Sequence, residues 1–420
     1  MTAAENKSSI GSLFRNRVVR TILLSALFLQ IGIWVRNYSI LLFVMEQTNE
    51  NPVAVSMISV AEFAPIFLFS FIGGTFADRW RPKRTMIWCD ILSALSILAV
   101  LTWMGIVGWK AIFFATLVSS ILSQFSQPSG MKLFKLHVPQ ELVQMGMSIY
   151  QTLFAVFMIL GPVLGTFVYQ QFGIYVSIGV MGVAFLLSAA SLLMLPPDRV
   201  ENSNEKAASV MQEMAAGFKY VLGSRALVSL GGCFAAAGLA LGLTQPLYVF
   251  LVTERLGLPK ENLQWLMAVH GVAMIIGGAL VMGLASKARP QVLLTLGMTV
   301  SSLMMLTMGL STNFALTLTA EFISGLFMPC IHIGINTMIL SNTKAEYIGR
   351  VNGILNPLFM GAMVLTMSAS GWLKEMTSIV TIFVTATVLF GIGIAIMLPL
   401  LRLRGTGSSQ GGSGSAEMAS

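Results

Sequence analysis

Three ionisable side chains, Arg36, Glu62 and Glu321, lie inside long apolar stretches of this chain. A charge within a membrane-length apolar segment is costly, so each of them is a candidate for function. At 1.5 Å per residue of helix, Arg36 and Glu62 both lie about 12–14 Å below the same end of their segments. They can therefore pair, either as a structural ion pair between two helices or as a proton site. Burial disfavours the charged carboxylate, whereas a neighbouring guanidinium favours it.

Glu321 begins a polar stripe along one predicted helix. Positions separated by 3, 4, 7 and 11 residues share one helix face. Such a face carries Glu321, Gly325, Met328, His332 and Asn336. We predict a proton-coupling role for Glu321, together with Arg36 and Glu62, and a substrate or proton role for His332, although a lone histidine is more often a core residue. His270, in a different apolar segment, is a further candidate.

Other polar and aromatic residues of the apolar segments are candidates for contact with a substrate. Six of them join Met328, His332 and Asn336 as predicted cavity residues. They are Gln30, Trp34, Gln124, Gln127, Gln245 and Tyr248. The glutamines have a competing role as hydrogen bonds between helices, worth about 1 kcal/mol each. Asp90 lies about one turn inside its segment, and we expect it to neutralise the basic loop that precedes it.

Composition identifies the environment of these side chains. Hydrophobic residues make up 55% of the 420 residues and charged residues only 10%, whereas a soluble domain has about 25% charged residues. Apolar runs of about 20 residues recur along the chain, as in a bundle of membrane-spanning helices. We predict an all-α integral membrane protein with twelve spans. Their limits are 19–44, 53–76, 85–107, 110–136, 143–170, 173–195, 226–252, 262–284, 290–311, 314–340, 348–371 and 377–400.

The distribution of basic residues predicts the orientation of these spans. An even number of spans places both termini on one side. With the termini inside, the cytoplasmic segments carry twenty of the 25 Lys and Arg residues and the outer loops carry four, with Arg36 in the first span. Positive charge concentrates on the cytoplasmic side of membrane proteins, so we predict cytoplasmic termini in the cell membrane. The same distribution explains the net charge of +8 without a nucleic-acid partner.

The chain divides into two halves about its one long polar stretch. We predict an N-terminal six-helix half over 1–195, a cytoplasmic linker over 196–225, a C-terminal six-helix half over 226–404 and an appended Gly/Ser-rich tail over 405–420. A shift of 205 residues superposes the first span on the seventh and sets 139–153 against 344–358. Duplicated six-helix halves are one architecture of secondary transporters.

The loop between the second and third spans carries a sequence signature. Residues 74–84 read GTFADRWRPKR. Gly74, Asp78, Arg79, Arg81, Lys83 and Arg84 have the spacing of the signature between helices 2 and 3 of the major facilitator superfamily. A positive-inside loop alone would explain the basic residues but not Gly74 and Asp78 at these offsets. The chain therefore resembles that superfamily, over about residues 18–400.

The resemblance implies two pseudo-symmetric six-helix halves and a conformational latch in this loop. The latch residues are Gly74, Asp78, Arg79, Arg81, Lys83, Arg84 and Asp90. Glycine lets two helices approach closely, and in this superfamily the aspartate docks at the N-terminus of helix 11, where the helix dipole favours an anion. Here that region is Glu346 to Arg350. The matching loop of the second half, GLASKARP (283–290), lacks an aspartate, so we expect a one-sided latch.

Other stretches resemble exporters of this superfamily. In ILGPVLG (159–165), Gly161, Pro162 and Gly165 are similar to the Gly-Pro motif in helix 5 of efflux members, and a packing kink is the alternative. Residues 75–94 resemble the macrolide-efflux and siderophore-export branch. In the superfamily helices 1, 4, 7 and 10 line the central cavity, so we expect the stripe of Glu321 to face it. The 28 Met and 26 Phe residues suit apolar ligands.

These features predict a secondary active transporter that exports a lipophilic or amphipathic small molecule, such as a drug or a siderophore, by alternating access as a proton antiporter. A lysophospholipid or lipid-precursor transporter and a solute-uptake symporter are the alternatives. The sequence has no ATP-binding P-loop, and its three cysteines have no metal-ligand spacing. We therefore expect no enzyme, no metal and no cofactor beyond a proton gradient. Expected partners are the substrate, protons and membrane lipids, and we expect a monomer.

Overall fold

The computed structural model describes residues 15–138, 140–196, 210–285 and 288–402. Within these ranges it describes only the backbone of 70–79, 105–107, 127, 135, 137, 140–141, 210–213, 282, 284–285 and 401–402. All secondary structure of the described residues is helical, as the composition predicts. We call the side on which residues 15 and 402 lie the inner side, following the predicted orientation.

The first half consists of six helices. Their bounds are α1 (Arg17–Gln47), α2 (Pro52–Arg79), α3 (Pro82–Val107), α4 (Trp109–His137) and one stretch, Gln140–Leu193, that contains α5 and α6. This stretch divides at Gly173, whose φ of 71° is left-handed, a conformation that costs glycine little. We therefore number 140–172 as α5 and 174–193 as α6. Gly108, with φ of 66°, makes a similar turn between α3 and α4.

A linker helix and the second half follow. They are α7 (Val210–Leu222), α8 (Arg225–Thr244), α9 (Leu263–Ala285), α10 (Pro290–Leu310), α11 (Phe314–Asn342), α12 (Ile348–Met376) and α13 (Ile379–Arg402). Local sequence explains several of the helix starts. Asn16 and Asn313 accept backbone N–H bonds at the starts of α1 and α11. Proline occupies the first position of α3 and α10, where its missing N–H costs nothing.

Twelve of these helices have the length to cross a membrane. Ten stretches of the described residues are long and apolar enough to do so, and one of them, Leu142–Leu193, holds both α5 and α6. The remaining span is α4, whose 29 residues extend about 43 Å. The twelve predicted spans therefore match α1–α6 and α8–α13, within a few residues at most ends. The protein is a multi-pass membrane protein.

The helix contacts within one half repeat in the other. In the first half, α1 packs on the α5–α6 stretch, α2 and α3 pack on α4, and α3 packs on the α5–α6 stretch. In the second half, α8 packs on α12 and α13, α9 and α10 pack on α11, and α10 packs on α13. Each packed pair thus has a counterpart at the same place in the other half, as the offset of 205 residues predicts.

The two halves meet along α2 with α12 and along α5 with α9. Near the outer end of α12, Gly371 is so close to α2 that a Cβ there would lie 2.6 Å from the carbonyl oxygen of Pro52. Lys260 Nζ, just before α9, lies 2.7 Å from Glu46 Oε1 on α1. Glu46 Oε2 accepts a hydrogen bond from Tyr169 Oη at 2.6 Å. These contacts hold the halves together on the outer side.

The linker helix α7 packs on the inner end of α12. The rings of Tyr220 and Tyr347 stack with their centroids 4.4 Å apart, and the backbone N–H of Lys344 donates to Tyr220 Oη at 3.1 Å. A Cβ at Gly217 would lie 2.9 Å from Arg350 Cβ. The predicted linker therefore contains a helix that docks on the second half, and its residues 197–209 lie outside the described part of the chain.

Candidate functional site

Arg36 on α1 and Glu62 on α2 lie together in the first half. Arg36 Nη2 is 4.0 Å from Glu62 Oε1, and Asn37 bridges the two side chains. Its Nδ2 donates to Glu62 Oε1 at 2.7 Å, and its Oδ1 accepts from Arg36 Nε at 3.0 Å. Arg36 Nη1 also donates to Ser119 Oγ on α4 at 2.8 Å. The buried guanidinium is therefore held between three helices.

A second carboxylate, Glu321 on α11, lies against His270 on α9. Glu321 Oε1 is 2.7 Å from His270 Nδ1. Glu321 is 2% exposed, and its Oε2 has no hydrogen-bond partner among the described residues. Gly325 brings the helices together, since a Cβ there would lie 2.6 Å from the carbonyl oxygen of His270.

The stripe predicted on α11 divides between two environments. Glu321 and Gly325 are buried against α9, Met328 is half-buried, and His332 and Asn336 are exposed. The outer part of the stripe therefore lies inside the second half, packed against α9. The inner part, with His332 and Asn336, lies at an accessible surface, and the substrate role of these two residues stays a prediction.

A cavity of about 160 Å³ lies inside the first half, beside Arg36 and Glu62. Gln124, one of the predicted cavity residues, lines it and donates to the backbone oxygen of Ser120 at 3.3 Å. Gln30 is buried and Trp34 half-buried, and neither of them lines this cavity. The side chain of Gln127 lies outside the described residues. The predicted cavity residues are therefore distributed over different parts of the molecule.

The span that begins with α8 loses its regular geometry at two predicted residues, Gln245 and Tyr248. The α-helix ends at Thr244, and Pro246, which has no N–H to donate, lies in the 3-10 turn that follows. Gln245 is exposed, and the Tyr248 ring packs edge-on against Phe383 with centroids 5.6 Å apart. Discontinuous helices in transporters often carry binding sites. Pro246 is the sequence signal for this break, which the twelve-span prediction treats as one regular helix.

The helix-5 motif packs against α1. A Cβ at Gly161 would meet the indole ring of Trp34. A Cβ at Gly165 would lie 2.7 Å from the Trp34 carbonyl oxygen and 2.8 Å from Tyr38 Cβ. The dihedral angles stay helical through Pro162 as far as Gly173. Both glycines therefore allow close packing of two helices, and Pro162 causes no break in the helix.

The signature loop is described in part. The side chains of Gly74, Asp78 and Arg79 lie outside the described residues, so the docking of Asp78 on α12 stays a prediction. Arg81 forms the N-cap of α3 without a side-chain hydrogen bond to that helix, and Arg84 lies in its first turn. Both are exposed on the inner side.

Two other predicted latch residues contact helices of the first half. Lys83 Nζ donates to the backbone oxygen of Leu193 at 3.2 Å and to that of Leu195. Carbonyls at a helix C-terminus lack helical partners and favour a cation, so this lysine caps α6. We expected Asp90 to neutralise the loop. Its Oδ2 instead accepts from Ser188 Oγ on α6 at 2.7 Å, inside the bundle.

Sequence reasoning missed the groups that complete the two pairs. Asn37 follows Arg36 directly in the chain, and Ser119 belongs to a run of hydroxyl residues on an otherwise apolar segment. A polar residue within a span faces other helices and not lipid. The polarity of Asn37 and Ser119 is therefore the signal that could have identified them. His270 was a separate candidate, and its spacing in the sequence gave no sign that it lies against Glu321.

Comparison with known proteins identifies the family. The sequence profile of the Major Facilitator Superfamily matches residues 22–365 and 230–416. The multidrug efflux pump Tap of Mycolicibacterium fortuitum is 26% identical over 382 residues, which cover 85% of this chain and 90% of Tap. Macrolide efflux protein A of Streptococcus pyogenes is 23% identical over 376 residues, which cover 86% of this chain and 90% of that protein.

Solved structures share the fold. The crystal structure of the nucleoside transporter NupG matches with a TM-score of 0.76 and 11% identity, over 93% of this chain and 100% of that one. Identity this low shows the fold alone. The twelve spans and the repeated contacts of the two halves agree with the family profile, which matches more than half of the chain. The chain belongs to the major facilitator superfamily, a family of membrane transporters and not of enzymes.

Proposed function

We propose that this chain exports a lipophilic or amphipathic small molecule, cationic above all, across the cell membrane in exchange for protons. The observation that carries the proposal is the contact between Glu321 and His270 inside the second half, 2.7 Å apart. Histidine is the side chain whose charge changes near neutral pH. Export is supported by the similarity to Tap and to macrolide efflux protein A along most of each chain.

The pair provides a simple basis for exchange. With one proton shared between them, His270 and Glu321 together carry no net charge. When that proton leaves, one negative charge remains buried in the membrane, which is costly unless a cation takes its place. A cationic substrate supplies that charge. Proton and substrate therefore stabilise the same site in turn and disfavour each other, which is the requirement for antiport.

The other pair is better suited to a structural role. Arginine stays protonated at any physiological pH, so Arg36 keeps Glu62 as its anionic partner while the two remain in contact. Asn37 and Ser119 further fix the guanidinium. Of the two interpretations that the sequence leaves open for Arg36 and Glu62, we favour the ion pair that holds two helices.

Alternating access requires that the outer contacts between the halves break and re-form. Glu46 with Lys260 and Gly371 against Pro52 close the outer side in this structure. We propose that the halves, 1–195 and 226–404, rock as units about the contacts of α2 with α12 and α5 with α9. Proton binding at His270 and Glu321 would then favour one of the two arrangements.

The proposal is tested by transport into everted membrane vesicles. The panel is ethidium, a macrolide, a siderophore and a lysophospholipid, each with and without an uncoupler. We expect uptake of at least one cation that the uncoupler abolishes. Glu321→Gln and His270→Gln should each lower its initial rate by about ten-fold or more, or about 1.4 kcal/mol.

A matched control separates the site from general charge effects. Glu50→Gln removes an exposed carboxylate on the outer side, away from both pairs, and should leave the rate unchanged. Transport that ignores both the uncoupler and Glu321→Gln would contradict proton antiport. Uptake of the lysophospholipid alone would favour the lipid transporter instead.

A further inference from the structure

The cavity in the first half is lined by polar groups from several helices. It adjoins Arg36 on α1, Glu62 on α2 and Asp90 on α3. α4 contributes most of the remaining polar lining, and α6 contributes the ring of Phe185. The neutral polar residues of the lining are Ser93, Ser119, Ser120, Ser123, Gln124 and Ser126. Serine is common where membrane helices pack, but here the polar side chains converge on one cavity from several helices.

Two of these hydroxyls indicate that the cavity holds water. Ser120 Oγ and Ser126 Oγ are buried and have no hydrogen-bond partner among the described residues. Buried polar groups without a protein partner are generally satisfied by ordered water, and a water needs two to four polar neighbours and about 10–15 Å³. A cavity of about 160 Å³ meets both requirements for several waters.

Asp90 is the buried acid at this cavity that has no cationic partner. It is 2% exposed, and its Oδ2 accepts from Ser188 Oγ at 2.7 Å. Ser188 Oγ in turn lies 2.8 Å from Ser25 Oγ. No Lys, Arg or His of the described residues forms an ion pair with Asp90. A buried carboxylate whose polar neighbours are hydroxyls is costly as an anion, and a bound proton removes that cost.

The charged and titratable groups that face Asp90 are few. Across the cavity lie Arg36 and Glu62, which are engaged with each other. The neighbouring thiol of Cys89 lines the same cavity. The side chains that α4 and α6 contribute to the lining are uncharged. Ser188 of α6, which bonds Asp90, supplies a hydroxyl. Nothing in this set provides a permanent counter-ion for Asp90.

We infer that Asp90 is a proton-binding site in its own right, reached through a water-filled cavity inside the first half and separate from the Arg36–Glu62 pair. A hydronium ion in the cavity gives its proton to a carboxylate oxygen of Asp90, which forms one O–H bond as another breaks and leaves a neutral acid and a water. The reverse step restores the anion. The inference extends the proposed proton exchange to a second group, although proton binding by Asp90 does not depend on what is transported.

Infrared spectroscopy of the purified full chain tests the site without any substrate. A protonated carboxyl group has its own C=O stretching band, which shifts in heavy water. In wild type, we expect such a band at low pH that declines as the pH rises. Asp90→Asn should remove it, Asp90→Glu should keep it at a shifted frequency, and Glu62→Gln should leave it in place. An Asp90→Asn spectrum identical to wild type at every pH would overturn the inference.

The water path has its own test. Ser120→Val and Ser126→Val replace each partnerless hydroxyl with two methyl groups, which cannot hydrogen-bond and fill part of the cavity. We expect them to slow the exchange of the Asp90 proton for deuterium at least about ten-fold, because they interrupt the water chain. Ser191→Val is the matched control, since Ser191 is also buried but bonds the Leu187 carbonyl. Equal exchange rates in the cavity and control variants would show that the proton takes another route and refute the cavity path.

The infrared and exchange measurements test the proton site separately from the proposed transport function. If the vesicle assay finds no proton-driven transport, the proposed function fails, and the band of Asp90 is still measured. If Asp90→Asn fails to fold, Asp90→Glu and the serine variants still decide the question. A transporter that exports its substrate normally but shows no Asp90 band would retain the proposed function and lose this proton site.

Discussion

Glu62 in the first half is a half-buried acid, Glu321 in the second is a fully buried one, and their surroundings differ. Glu62 lies beside a permanently charged guanidinium, accepts a hydrogen bond from the Asn37 amide and adjoins a polar cavity. Glu321 lies beside an imidazole that can be neutral or charged, between two helices that Gly325 brings into backbone contact. One acid therefore has a fixed partner, and the other has a partner that titrates.

The surroundings of the two acids differ although both halves have the same helix arrangement. α2 packs on α4 in the first half as α9 packs on α11 in the second. In the first half the acid is on α2, and Ser119 of α4 bonds its partner Arg36. In the second half the acid is on α11 and the histidine on α9. The two helix pairs are equivalent, but the acid lies on the first helix of one pair and on the second helix of the other. Duplication therefore determines which helices pack together and not which side chain carries the charge.

The largest expected effect distinguishes the two pairs by stability. Glu62→Gln leaves the buried Arg36 guanidinium without its anion. Because Glu62 is itself 26% exposed, we expect a cost of about 2–3 kcal/mol, below that of breaking a fully buried pair. Glu321→Gln costs less, about 1 kcal/mol, because His270 can lose its proton and keep a neutral polar neighbour. The free energy of unfolding of each purified variant, measured by denaturant titration in detergent, provides the comparison.

A double variant serves as the control for this prediction. Arg36→Met with Glu62→Leu removes both charges and should recover most of the stability lost in Glu62→Gln, since replacing a buried pair by apolar groups is often nearly neutral. Equal losses in Glu62→Gln and Glu321→Gln would mean that the two carboxylates have equivalent surroundings, and the comparison would fail.

The second prediction concerns the backbone contact that positions the second pair. Gly325→Ala places a methyl group against the His270 carbonyl and should destabilise the protein by about 1–3 kcal/mol, as overpacking does. It should also separate His270 from Glu321 and so reduce uncoupler-sensitive transport. Thermal unfolding and the vesicle assay measure these two effects on the same variant.

A glycine nearby on α9 offers the matched control. A Cβ at Gly278 would meet nothing within 4 Å, so Gly278→Ala should stabilise the protein slightly, by up to about 1 kcal/mol, because alanine is the better helix former. If the two glycine variants behave alike, close approach at Gly325 does not position the pair, and the contrast between the halves loses its structural basis.

The overall fold could be predicted because few physical terms determine it. In lipid each span must satisfy its own backbone hydrogen bonds, so length and hydropathy are enough to locate helices. The offset of 205 residues then predicted the duplicated contacts. The break at Gln245–Leu247 was missed because the mean hydropathy of the surrounding residues is that of one span, and hydropathy does not register a local change from α to 3-10 geometry.

The candidate site could be predicted only in part, because side-chain partners depend on how helices rotate against one another. The proximity of Arg36 and Glu62 followed from their equal depth on neighbouring spans. The neighbours of Glu321 and Asp90 did not, because depth alone leaves several helix faces open. Close approach at Gly325 places Glu321 against α9, and a hydrogen bond from Ser188 places Asp90 against α6. Nothing in a single sequence indicates which helix Gly325 or Ser188 contacts.

The smallest expected effect concerns the outer ion pair that joins the two halves. Lys260 Nζ contacts Glu46, which is half exposed, and exposed pairs of this kind are worth about 0–1 kcal/mol. Lys260→Met should therefore shift the population toward an open outer side by up to about five-fold. Spin labels at Glu50→Cys and Thr377→Cys, two exposed outer positions in opposite halves, report the change as a longer distance in pulsed electron resonance.

Two conditions make this last measurement decisive. The native cysteines are buried and are first replaced by alanine, so that only the two outer positions carry labels. Lys110→Met, which removes an exposed outer cation of the first half, is the control and should leave the distance distribution unchanged. If Lys260→Met also leaves it unchanged, closure of the outer side depends on the close packing of Gly371 on α2. The two halves would then be held by shape and not by charge.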